Sequence, residues 1–189
     1  MNSDEEARRR RGRIFVLAYP FALLGICIVL NVFVFRIQPP EIALPDENTV
    51  MALVAAAVLL LINHTWLMTT TELTRGRFGM YATPEEWRAS GRKREDTVRE
   101  GWDELERRHN AHRNTTENTI YFVFVASVFA IVSPPVSAVL VWIVGFAVAR
   151  LGYTYSYLAG KDGLRGLFMS LSLLCLFGIA SGLVLGFLA

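Results

Sequence analysis

The sequence predicts an all-α integral membrane protein built from five transmembrane helices. Three observations carry that expectation. The apolar residues, 53% of the 189, fall in long unbroken blocks instead of alternating with polar ones, and blocks of about 18 or more read as membrane spans. The arginines gather beside those blocks, where they set orientation. The net charge is only +2, too small for a nucleic-acid binder, while the mean hydropathy is +0.36.

The first block, Ile14 to Phe35, follows the run Arg8-Arg9-Arg10-Arg11-Gly12-Arg13. Its apolar stretch is longer than the ~7–15 residues of a signal core, and no small-residue cleavage site follows, so it reads as a retained anchor. A link with Pro39, Pro40 and Pro45 leads to the second block, Thr49 to about Thr71. The polar stretch from Glu72 to Asn118 holds ten basic and ten acidic residues. Within it, Thr83-Pro84-Glu85-Glu86 is a helix start, with a capping threonine, a first-turn proline and acids suited to the helix dipole. From Lys93 to Arg113 there is no proline and one glycine, so a helix can run from there into the third block, Thr119 to Val132. Ser133-Pro134-Pro135 turns the chain into the fourth block, Val136 to Leu158, and a short loop leads to the fifth, Leu164 to Leu188. Cys27 and Cys175 lie inside apolar blocks without a CxxC partner, which argues against a disulfide framework or thiolate metal site.

Counting Lys and Arg in the loops gives five in the N-terminal arm, one from Arg36 to Asn48, ten from Glu72 to Asn118 and none in Ser133–Pro135. Five spans, with the N-terminus and the 72–118 loop cytoplasmic, satisfy these counts.

The third block is short. Its 14 residues rise about 21 Å at 1.5 Å each, against a hydrocarbon core near 30 Å. The helix must therefore draw Arg113–Asn118 toward the membrane, with Arg113 at the cytoplasmic edge and Glu117 about one turn inside. Arg150 interrupts the fourth block. Glu117 lies 17 residues before Pro134 and Arg150 lies 16 after it, so the two are expected at similar depth, as a pair or a shared ligand site. Asn110, Arg113, Asn114 and Glu117 share one helical face, as do Arg150, Tyr153, Thr154 and Tyr157. Arg75 and Arg77 end the second block on the same side and Arg165 opens the fifth there. Each element also has a plainer reading. Arg75, Arg77 and Arg165 fit snorkelling anchors, the tyrosines an interfacial belt, and Arg150 a structural ion pair. His64 with Asn63 fits an interhelical hydrogen bond. Glu106-x-x-His109 is only half of a carboxylate-bridged motif, so no metal site is expected.

The run His112-Arg113-Asn114-Thr115-Thr116-Glu117-Asn118, opening a span after a long cytoplasmic loop, resembles the signature of the MAPEG family, membrane-associated proteins in eicosanoid and glutathione metabolism. Arg150-Leu151-Gly152-Tyr153-Thr154-Tyr155-Ser156-Tyr157 with Leu164-Arg165, and Ala82-Thr83-Pro84-Glu85-Glu86, are similar to further elements of that family. The resemblance runs from about Thr49 to the C-terminus. It divides the chain into residues 1–48, a basic arm with an extra helix, and 49–189, a four-helix transmembrane domain.

The resemblance implies a homotrimer that binds glutathione between neighbouring subunits near the cytoplasmic face. It implies Arg75, Arg113, Asn114, Glu117, Arg150 and Tyr157 as glutathione-binding residues, and Arg165, Tyr153 and Tyr157 as catalytic ones. Arginines can clamp two carboxylates, and Arg165 beside the thiol would favour the thiolate, the true nucleophile. Asn110 stands where the prostaglandin-synthase branch often has arginine, and Gly166 where it has serine. The activity implied is therefore a glutathione transferase or peroxidase acting on lipophilic electrophiles or lipid hydroperoxides. The alternative is a non-catalytic member that binds lipid or a partner.

Overall fold

The computed structural model describes residues 3–189, with side chains from residue 5 onward. Among the described residues every regular element is helical. Helix α1 (Ser3–Val29) holds the whole arginine run and Pro20, and a π-helical turn, Leu30–Val34, extends it. Helix α2 is Glu47–Phe78, α3 is Pro84–Ser90, α4 is Arg99–Ala130, α5 is Val136–Leu158 and α6 is Asp162–Leu188. A second π-helical turn, Leu140–Val144, lies within α5.

Four helices are long and apolar enough to cross a membrane: Glu5–Val34, Glu47–Phe78, Val136–Leu158 and Asp162–Leu188. Helix α4, with 32 residues, is about 48 Å long, but its N-terminal half carries most of its charged residues. It runs unbroken from Arg99 into the third apolar block, as the absence of proline leads one to expect, while the residues just before it form only a 3-10 turn, Arg94–Asp96. Exposed apolar side chains such as Phe15, Phe21, Leu61 and Phe124 are what a lipid-facing surface requires.

Helices α2, α4, α5 and α6 form the bundle. α5 packs closely on α6, α2 packs on α4 and α5, and α2 and α6 occupy opposite corners. Phe122 of α4 stacks on Phe146 of α5 with centroids 4.1 Å apart, in a core that includes Phe129, Trp142, Ile143 and Ile179.

Helix α1 docks on the outside of α6 through a buried polar clamp. Asn31 Nδ2 donates to the Gly178 carbonyl (2.8 Å) and Ser181 Oγ (2.9 Å), and Asn31 Oδ1 accepts from Trp142 Nε1 (3.0 Å). Both π-helical turns contribute a residue to this clamp. Gly178 must lack a side chain, since a Cβ there would lie 2.4 Å from Trp142 Cδ2. Cys27 and Cys175 are buried free thiols.

Local signals set the ends of the elements. Gly79, at φ 61°, terminates α2 after Arg75 and Arg77 complete its last turn. The second block therefore stays helical seven residues beyond Thr71. Thr83 forms the expected capping box with Glu86, with Pro84 in the first turn.

Candidate functional site

The sequence places Arg150 at the depth of Glu117 and expects the two to face each other. The structure corrects this. Arg150 is fully buried, and its Nη2 donates to Asn114 Oδ1 (2.9 Å) and Thr115 Oγ1 (2.8 Å). Its Nη1 points to Ser172 Oγ at 3.5 Å and Met169 Sδ at 3.8 Å. No ion pair among the described residues joins it to Glu117, which is exposed. Equal register on two antiparallel helices implies similar depth but says nothing of direction. Asn114 and Glu117 are three residues apart, about 60° on a helix, enough to turn one toward the bundle interior and the other outward. A guanidinium has five donors, so neutral oxygens can satisfy much of it without an acid.

From Arg150 a chain of stacked groups leads to the end of the bundle where α5 turns into α6. Its guanidinium sits 4.2 Å from the Tyr153 ring centroid, the Tyr153 and Tyr157 rings are 5.5 Å apart, and Arg165 lies 5.2 Å over Tyr157. The four residues alternate cation, ring, ring, cation, an arrangement favoured by the negative ring faces. Tyr153 is buried and Arg150 sealed, whereas the Arg165 side chain is 42% exposed and leans on Asp162 at 3.4 Å. Gly152 permits close α5–α6 approach, because a Cβ there would meet the Phe168 ring at 2.3 Å.

Arg75 and Arg113 fall elsewhere. They line a cavity of about 400 Å³ with Tyr81, Arg94, Trp102, Glu106, His109 and Asn110. Arg75 pairs with Glu72 and approaches His109 Nε2 at 3.4 Å. Burial, aided by the charges of Arg75, His112 and Arg113, holds the His109 pKa below its usual range. His112 Nε2 meets His64 Nδ1 at 3.2 Å across α4 and α2, the interhelical contact expected of His64. Asn63 beside it is buried with neither amide atom bonded.

The predicted residues thus form two groups in one chain. Asn114, Arg150, Tyr153, Tyr157 and Arg165 join across α4, α5 and α6; Arg75 and Arg113 join across α2 and α4. Because α2 and α6 sit at opposite corners, Arg75 and Arg165 do not converge within a single copy. Sequence reasoning missed Thr115, Ser172 and Met169 as partners of Arg150, and Tyr81, Arg94 and Trp102 as cavity walls. Ser172 carried a signal, being a polar residue in an apolar span.

A bundle of long apolar helices with polar and charged side chains grouped at one end defines a multi-helix integral membrane protein. The family is more specific. Residues 49–185 match the model of the MAPEG family, and the chain belongs to it. No curated protein and no solved structure matches the chain.

Proposed function

We propose that the chain is a membrane-bound, microsomal glutathione transferase-like enzyme that uses glutathione against lipophilic electrophiles or lipid hydroperoxides. The observation that carries the reading is the half-exposed Arg165 held over Tyr157. A cation and a phenol at the bundle's polar end can stabilise a thiolate. With an electrophile, the thiolate forms a carbon–sulfur bond and the leaving group departs or the product takes a proton. With a hydroperoxide, the thiolate takes the terminal oxygen and releases an alcohol; a second glutathione reduces the sulfenate to the disulfide and water.

The working unit is a homotrimer with each site between neighbouring copies. Two features support this. Glu117 is exposed about one turn inside the expected membrane edge, where a charge facing lipid is costly, and Arg113 is exposed one turn away at that edge. Arg75 and Arg165 lie at opposite corners of one bundle, so one ligand reaches both only across a contact between copies. Such a head-to-tail contact closes naturally into a ring. α4 then serves as the fifth span, and the N-terminal arginines and the 72–118 loop face the cytoplasm.

The test is titration of purified protein with glutathione while thiolate absorbance is followed, beside Arg165→Ala. A thiolate signal in the parent that is lost in the variant is expected. No signal, or one unaffected by the substitution, overturns the catalytic reading.

A non-catalytic role is the second reading. The sealed Arg150 favours it, since part of the family signature here holds the bundle together. It predicts that Arg113→Ala and Glu117→Ala lower stability while glutathione gives no protection against heat.

A further inference from the structure

Helix α1 lies outside residues 49–185, the part that matches the family, so the match assigns it no role. One end of it is tied to the bundle. Cys27 Sγ donates to the Leu174 carbonyl at 3.2 Å and Asn31 Nδ2 to the Gly178 carbonyl at 2.8 Å, so α1 runs parallel to α6 at a constant offset. Counted back in step along both helices, Arg13 and Ile14 come level with Gly160 and Lys161, where α5 turns into α6. From Ile14 to Val34 the helix rises about 31 Å, close to a hydrocarbon core near 30 Å. The arginine run therefore falls at a membrane surface.

The other half of α1 has no protein against it. Ile14, Phe15, Val16 and Leu17 are exposed by 56%, 69%, 68% and 64%, and four successive residues, at about 100° each, cover the whole circumference of a helix. Only lipid can surround such a stretch. Arg8, Arg9, Arg10 and Arg11, also exposed, cover the circumference just beyond it, with Arg13 at its edge. Glu5 and Glu6 follow at the tip, yet among the described residues no ion pair engages Arg8, Arg10, Arg11 or Arg13. Arg10 and Arg11 line an open groove with Glu6, Ala7 and Ile14, which sets two guanidiniums beside an apolar side chain.

We propose that this arginine collar binds the headgroups of anionic phospholipids. Guanidiniums match phosphate oxygens in a bidentate fork, and a cluster of roughly four to eight cations beside a span is the pattern that recognises anionic headgroups. Two observations choose lipid over a docked protein or nucleic acid. The charges encircle the helix and form no single face, and they stand directly on an apolar belt, so one ligand with a phosphate and acyl chains meets both. The proposal does not depend on the thiol chemistry. A helix anchor that only sets orientation needs the charge but shows no preference among lipids.

The experiment is native mass spectrometry of the full-length protein in neutral detergent, titrated with phosphatidylglycerol or with phosphatidylcholine of the same acyl chains. It is repeated on a variant carrying Arg8→Gln, Arg9→Gln, Arg10→Gln and Arg11→Gln together, with Arg13 kept. Cys27 is fully buried, so its continued resistance to a membrane-permeant maleimide checks that α1 of the variant stays docked. The parent is expected to bind the anionic lipid about fivefold tighter than the neutral one, the factor that one arginine contributes at an anionic surface. Added salt should narrow the difference, and the variant should lose it. Equal binding of the two lipids by the parent, or a preference that the variant keeps in full, overturns the proposal. Displacement of the lipid by an equal concentration of glycerol phosphate also overturns it, since the collar would then be a site for a soluble anion.

Discussion

A double-mutant cycle on Arg150 separates the observed contact from the one suggested by depth alone. Arg150→Met removes a guanidinium whose Nη2 donates to Asn114 at 2.9 Å and Thr115 at 2.8 Å. The single substitution is ambiguous, because losing a buried cation relieves desolvation while orphaning two acceptors. The coupling to Asn114→Leu is not. Hydrogen bonds to charged groups contribute about 1.5–3 kcal/mol in soluble proteins, and interhelical polar contacts in membranes average about 0.6 with a maximum near 1.7. A coupling of about 1–2 kcal/mol between residues 150 and 114 is therefore expected. Coupling between Arg150→Met and Glu117→Gln should stay within about 0.5 kcal/mol of zero. Equilibrium unfolding in mixed micelles supplies the four free energies of each cycle. A large coupling at Glu117 with none at Asn114 would refute the arrangement described.

Three further outcomes are expected. Gly178→Ala pushes a Cβ into the Trp142 ring and disturbs the Asn31 clamp, an overpacking cost of about 1–3 kcal/mol; Cys27, now buried, should become reactive to a membrane-permeant maleimide, and unchanged labelling would count against the clamp. Glu104 has its pKa held below the usual carboxylate value by its hydrogen bond to Arg108, with burial opposing. Its stabilising contribution is present above the unfolded value of about 4.3 and lost as pH falls through the folded one, so the thermal midpoints of parent and Glu104→Gln should converge in acid. Trp87→Ala removes the centre of the loop's small core with Met80 and Leu105, about 3 kcal/mol locally. Limited proteolysis should then cut between Gly79 and Val98 while the bundle stays intact, and resistance equal to the parent would contradict an ordered loop.

Much of the fold was legible because bilayer physics writes it in long blocks. The four candidate spans, the Thr83 cap and the continuous α4 all follow from apolar length, proline placement and capping residues. The π-helical turns at Leu30–Val34 and Leu140–Val144 were not, since both lie in uniformly apolar sequence and arise from tertiary demands at Asn31 and Trp142. In the site, helical spacing along α5 grouped Arg150, Tyr153 and Tyr157, which the structure joins in one stack. It overestimated convergence, because equal depth says nothing of which corner of a bundle a residue occupies, and so Arg75 was grouped with Arg165. The loop walls Tyr81, Arg94 and Trp102 were invisible because their positions depend on how Trp87 packs, and no periodicity reports that.

Subunit complementation tests the shared site most directly. Arg75→Ala and Arg165→Ala chains, each inactive as a homo-oligomer, are co-assembled in equal amounts and assayed with glutathione and a model electrophile. If each site takes Arg75 from one copy and Arg165 from its neighbour, random mixing restores about a quarter of the parent activity. Activity no higher than that of either variant alone would contradict a site formed between copies.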